Sequence, residues 1–143
     1  MAGFITKHLN YAYPGEWVNG AAQPVPNGLL MVQGTGDDVD KLVLPGAADT
    51  DSKFVCIEDG TIYDGMPAKR FVVDKLAKRY YFVDCEFDIN DSMEYDKRTY
   101  TTDVGKYLRV HPLEVGEELW SDCITGTIAK GATPGVKADG TIG

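Results

Sequence analysis

Few side chains in this sequence stand at spacings that chemistry uses. The acidic run Asp84-x-Glu86-x-Asp88-x-Asn90-Asp91 comes nearest to a metal site. Alternate residues of a strand share one face about 7 Å apart, so these carboxylates, helped by loop carbonyls, have the oxygen chemistry that calcium takes. The run lacks the fixed glycine and the distal bidentate glutamate of an EF-hand loop. The same spacing is what a solvated strand face looks like, because charged groups stay in water, and that is the expectation here. Asp37-Asp38-x-Asp40, after Gly34-Thr35-Gly36, reads as a turn with solvating carboxylates. No metal and no cofactor is expected.

Nucleophilic catalysis needs a base held beside the nucleophile. The only histidines are His8 and His111. His8 falls in an N-terminal arm. His111 precedes Pro112 at a strand end, where an exposed surface ring is the simplest reading. The chain has no Gly-x-Ser-x-Gly elbow and no cysteine close in sequence to a histidine. Gly34-Thr35-Gly36 is not followed by the Gly-Lys-Ser/Thr of a phosphate loop. The chain reads as a non-enzyme. Its one basic cluster is Lys69, Arg70, Lys75, Lys78 and Arg79, five of 14 positive charges within eleven residues. Two readings stand. The cluster docks on an acidic patch of a partner protein, with Tyr80, Tyr81 and Phe82 as apolar anchors. Or it balances charge along an exposed edge, where lysines deter strand pairing.

The elements that must carry these groups are short strands. A chain of 143 residues with 16 Gly and 7 Pro favours many short segments joined by turns, with enough length to bury a core. Residues 1–15 read as an extended arm with a short strand at Phe4-Ile5-Thr6. Its aromatics Phe4, Tyr11 and Tyr13 cover the chain's own core or lie on a neighbour. Strand-like pieces follow at Leu29–Gln33, Lys41–Leu44 and Lys53–Ile57, the last ending at Asp59-Gly60, a hairpin signal. Thr61-Ile62-Tyr63 ends at a second Asp64-Gly65. Between Pro67 and Tyr80 a short helix competes with strand–turn–strand, and Phe71-Val72-Val73 favours the strand. Tyr81–Ile89 alternates with Tyr81, Val83, Cys85, Phe87 and Ile89 on a core face and Asp84, Glu86 and Asp88 outside. Further strands are expected at Tyr107–Val110, Glu118–Trp120 and Ile124–Ala129. A Gly-Thr-Ile echo at residues 60–62, 126–128 and 140–142 suggests strands launched from tight turns. The last copy is an exchanged strand, a flexible tail or a cut end. The whole reads as an all-β chain: a small β-barrel or β-sandwich over residues 16–143 with an extended N-terminal arm and at most one short helix.

Composition limits the partners. The net charge is −8 and the pI about 4.6, a surface that repels nucleic acid and anionic lipid, so neither is an expected partner. No stretch approaches the roughly 20 apolar residues of a membrane span. Cys56, Cys85 and Cys123 show no CxxC spacing and sit among hydrophobes. They read as buried, reduced thiols of a protein made in the cytoplasm. The N-terminus has no apolar core of signal-peptide length.

Several turn phrases carry a likeness. Gly15-Glu16-Trp17-Val18-Asn19-Gly20 followed by Pro26-Asn27-Gly28-Leu29-Leu30-Met31 resembles the opening of small tailed-phage head proteins. Gly105-Lys106-Tyr107-Leu108-Arg109-Val110 and Val115-Gly116-Glu117-Glu118-Leu119-Trp120 look like later barrel strands of the same class. Ala138-Asp139-Gly140-Thr141-Ile142-Gly143 resembles its closing phrase. At its two ends the chain thus resembles the bacteriophage head decoration, or capsid cement, proteins. Residues 45–103 carry no likeness. The resemblance implies a non-catalytic virion protein on the outside of an icosahedral shell. It would brace contacts between copies of the major capsid protein, as a homotrimer or a monomer. It transfers no site residues. The alternatives are another virion component (neck, tail or head-fibre base), a small trimeric all-β nucleotide hydrolase such as a dUTPase, whose glycine-rich C-terminal motif is missing, and an OB-fold strand binder, which net −8 disfavours.

Overall fold

The computed structural model describes residues 3–7, 17–62, 66–85 and 100–143. Among these the chain is all-β. Eleven strands lie among the described residues: β1 Gly3–Lys7, β2 Val18–Asn19, β3 Val25–Pro26, β4 Leu30–Gln33, β5 Lys41–Val43, β6 Lys53–Ile62, β7 Met66–Lys75, β8 Tyr81–Val83, β9 Thr101–Thr102, β10 Val110–Pro112 and β11 Glu118–Ser121. The one helical element described is a 3-10 turn at Gly36–Asp38. The segment Pro67–Tyr80 is therefore strand and turn, not helix: β-branched and aromatic side chains fit a half-buried pleat.

A four-stranded sheet runs in the order β1-β11-β7-β6 and a five-stranded sheet in the order β10-β8-β4-β5-β2, with β3 and β9 as a separate pair. The five-stranded sheet curls until one segment, residues 106–112, touches both of its ends. Its start bonds β2, with Asn19 N–H donating to Lys106 O at 2.8 Å and Leu108 N–H to Trp17 O at 3.0 Å. Its end pairs with β8, Val110 opposite Val83. Closing a sheet in this way leaves fewer open edges.

Two hydrophobic cores result. Leu30, Phe54, Phe71, Val73, Phe82, Leu119 and Ile142 fill the space between the sheets. Met31, Leu42, Tyr81, Val83, Cys85, Leu108 and Val110 fill the curled sheet. Strands β4 and β8 are the shared wall. Leu30 and Phe82 face one core while Met31 and Tyr81, one residue along each strand, face the other. This corrects the reading of Tyr81–Ile89 as a strand with a wet outer face. Asp84 is buried, 2% exposed. Phe87, Ile89, Glu86, Asp88, Asn90 and Asp91 lie outside the described residues, as do Tyr63, Asp64 and Gly65.

Asp59-Gly60 is not a turn. β6 runs through it to Ile62, with a register irregularity between Cys56 and Glu58, and Gly60 pairs with Ala68 of β7. The glycine serves a close approach instead: a Cβ there would stand 2.7 Å from the Trp120 ring. The expected strand at Ile124–Ala129 reduces to one bridge, Ile124 to Ile142. The closing phrase is neither loose nor exchanged. Leu30 N–H donates to Gly140 O at 2.9 Å, Ile142 N–H donates to Cys123 O at 3.0 Å, and Ile142 is fully buried. The expected strand at Phe4-Ile5-Thr6 lies within β1, which forms the sheet edge beside β11 with Phe4 in register with Trp120.

Candidate functional site

Of the groups that the sequence offers for chemistry, Asp84, His111 and the three cysteines are buried, Asp37, Asp38 and Asp40 are exposed, and the most heavily bonded carboxylate is one that spacing did not single out. The Asp49 carboxylate collects four hydrogen bonds: Tyr80 hydroxyl at 2.6 Å, Ser52 hydroxyl at 2.7 Å, Asp51 N–H at 2.9 Å and Ser52 N–H at 3.0 Å. The local cause is an Asx turn over Asp49–Ser52, in which a side-chain oxygen replaces a backbone acceptor. Burial alone raises this carboxyl, but the hydrogen bonds from Tyr80, Ser52 and Asp51 outweigh it and hold it well below the usual carboxylate range. The Tyr80 hydroxyl is pushed above its ordinary value by burial and by Asp49. Ser52 also accepts from Ala77 N–H at 2.9 Å. Asp49 pairs its backbone with Val136 in both directions. Asp49 thus ties three segments together: its carboxylate joins residues 49–52 to the turn before β8, and its backbone joins them to the C-terminal segment.

His111 is not a surface ring. It lies in β10, fully buried, with Nε2 4.0 Å from Asp84 Oδ2. The register places it opposite Phe82, in the strand beside the shared wall of the cores. A carboxylate–imidazole pair of this kind orients an imidazole, but this one is enclosed and presents no open face to a substrate. The three thiols are likewise buried. Burial pushes the Cys123 thiol up to about 12. Cys123 donates to Asn27 O at 3.3 Å, and the Asn27 side chain accepts from Cys85 N–H at 2.8 Å. No group of three or more metal-ligating side chains occurs among the described residues.

The basic cluster divides in two. Lys69 is ion-paired with Asp59. Arg70 forks onto Glu118 at 2.8 Å from both carboxylate oxygens and reaches Glu58 at 3.1 Å. These pairs follow from the strand register, which sets Asp59 opposite Lys69 and Glu58 opposite Arg70. They are cross-strand ties. A shallow cleft of about 330 Å³ beside Lys69, also lined by Pro67, Asp122 and Ile124, is open to solvent. Lys75, Lys78 and Arg79 are exposed and have no ion-pair partner among the described residues.

Register adds a fourth cation that the sequence reading missed: Lys53, at the start of β6, pairs with Lys75 at the end of β7, next to a register irregularity between Lys53 and Phe54. The bond from Ala77 N–H to Ser52 brings the turn carrying Lys78 and Arg79 beside Lys53. Lys53 and Lys75 thus lie at the open end of the β6–β7 hairpin, and Lys78 and Arg79 in the turn that follows it. Its only signal in the sequence is its place at the head of the strand expected at Lys53–Ile57; the pairing with Lys75 comes from the register. Tyr80, Tyr81 and Phe82 are not apolar anchors for a partner; all three are buried in the two cores. Tyr11, Tyr13 and His8 lie outside the described residues, as does the side chain of Phe4. Comparison with protein-family models, with curated proteins and with solved structures gave no match.

Proposed function

We propose that this chain is a structural virion protein that binds the outer surface of an icosahedral phage capsid and stabilises contacts between major capsid subunits. The observation that carries the reading is the cation group of half-buried Lys53 and exposed Lys75, Lys78 and Arg79, without ion-pair partners among the described residues of a chain with net charge −8. Such a group steers an otherwise acidic protein onto an acidic protein surface in one orientation. Two further points agree with it. The carboxylates, hydroxyls and thiols best suited to chemistry are engaged in buried structural bonds. The turn phrases at the two ends of the chain resemble those of head decoration proteins. Many copies on a lattice make weak single contacts sufficient. The partner in this reading is the major capsid protein, met by a monomer or a homotrimer.

Co-sedimentation with purified mature phage heads tests it. Saturable binding at a stoichiometry fixed by capsid symmetry is the expected result. Failure to bind heads, with binding to purified tails or necks instead, moves the protein to another virion component. Binding to neither refutes a virion role.

A further inference from the structure

We infer that the end of the β6–β7 hairpin is a binding site for a carboxylate-rich protein segment, and that the buried Asp49–Ser52–Tyr80 hub positions it. The inference rests on the partner-binding reading above and gives its chemistry.

Like charges paired across neighbouring strands are unfavourable, yet Lys53 pairs with Lys75, next to a register irregularity between Lys53 and Phe54. Nearby on the same hairpin the opposite rule holds: Lys69 and Arg70 each face a carboxylate and bond it. The hairpin is therefore self-neutralised in its middle and left cationic at its open end. The cationic end is also ordered from below. Ser52 precedes Lys53 and Tyr80 follows Arg79, and both hydroxyls bond the same Asp49 carboxylate. The bond from Ala77 N–H to Ser52 closes the turn between them. A positioned cation group loses less side-chain and backbone freedom on binding than a floppy one.

The chemistry favours carboxylates over phosphates. Four cations stand with three carboxylates, the exposed Asp51 and Asp74 and the ionised Asp49 beneath them, so 4 − 3 leaves a local charge of +1. That suits a few separate carboxylates interleaved with the two aspartates. A polyphosphate backbone needs more cations than this to offset the repulsion of a −8 body. The neighbouring aromatics Tyr80 and Tyr81 are buried, so no ring next to the cations is open to stack on a base.

Fluorescence anisotropy of a labelled oligoglutamate peptide against the full chain tests the site, with an oligothymidylate of equal charge as the rival probe. The peptide should bind at low salt and weaken as salt rises. Lys53→Gln with Lys75→Gln should weaken it roughly five- to ten-fold. Lys69→Gln with Arg70→Gln makes the same change in net charge in the self-neutralised middle of the hairpin and should stay within about two-fold. Equal losses from both pairs would overturn the site and leave only net charge. Tighter binding of oligothymidylate would overturn the carboxylate class. Tyr80→Phe should weaken the peptide while leaving the salt dependence unchanged, since no contacting charge is lost. If affinity is unaltered, the hub has no positioning role. A parent that binds the peptide but not phage heads refutes the decoration reading and keeps the site. One that binds heads but not the peptide refutes the site and keeps decoration.

Discussion

Replacing Asp49 by alanine should be among the most damaging single changes in the chain, for a reason the geometry makes quantitative. The carboxylate accepts from Tyr80 and Ser52, both fully buried. A hydrogen bond to a charged group contributes about 1.5–3 kcal/mol, and an orphaned buried donor costs about 1–3 kcal/mol. The two main-chain bonds, from Asp51 and Ser52, are partly replaced by water, since Asp51 is exposed. The two hydroxyls then dominate, and the loss should be roughly 3–5 kcal/mol, a large part of the ~5–15 kcal/mol that holds a domain folded. Urea unfolding should show a lower midpoint with an unchanged slope. The decisive measurement is the cycle with Tyr80→Phe. Removing the orphaned hydroxyl should make the double variant about 1–2 kcal/mol more stable than the sum of the singles predicts. The pH dependence has a fixed sign. A carboxyl depressed from 3.8 contributes stability that is whole above 3.8 and is lost as pH falls through the folded value. A hydroxyl raised from 10.0 contributes fully below 10.0 and loses its effect as pH rises through the folded value. The stability gap between parent and Asp49→Ala should therefore be flat from about pH 4 to about pH 10 and shrink in acid. A cost under about 1 kcal/mol, or additivity in the cycle, would refute the hub.

Gly140→Ala should cost about 2 kcal/mol or more, because φ is +85° and the new Cβ would stand 2.4 Å from Leu30 O. A melting temperature lowered by roughly 8 °C would register it, and an unchanged one would show that the C-terminal segment is not seated on β4. All three thiols should react with a disulfide reagent at neutral pH only as fast as the protein unfolds, since they are buried and burial raises Cys56 and Cys123. Prompt labelling of any of them in the native protein would contradict the two-core arrangement.

The sequence alone determined the fold class. Period-two alternation and Gly or Pro punctuation are local properties, and they placed Leu30–Gln33, Lys41–Val43 and Glu118–Ser121 within a residue of where they lie. The choice of strand over helix at Phe71–Val73 followed from side-chain shape, again local. Tertiary structure decided what the local pattern could not reach. Alternation tells which residues share a face but not whether both faces are covered. Asp84 and His111 therefore read as wet, although the strands that carry them lie between or beside packed layers. Asp59-Gly60 carries a turn signal because glycine suits turns. Here the same absence of a side chain is used by Trp120, 60 residues away in sequence, and only the sheet brings the two together. The basic cluster was legible as a run of charges. Its division into a bonded and an unbonded half, and the addition of Lys53, depend on strand register. Register is set by how two distant segments pair, so no single segment's composition encodes it.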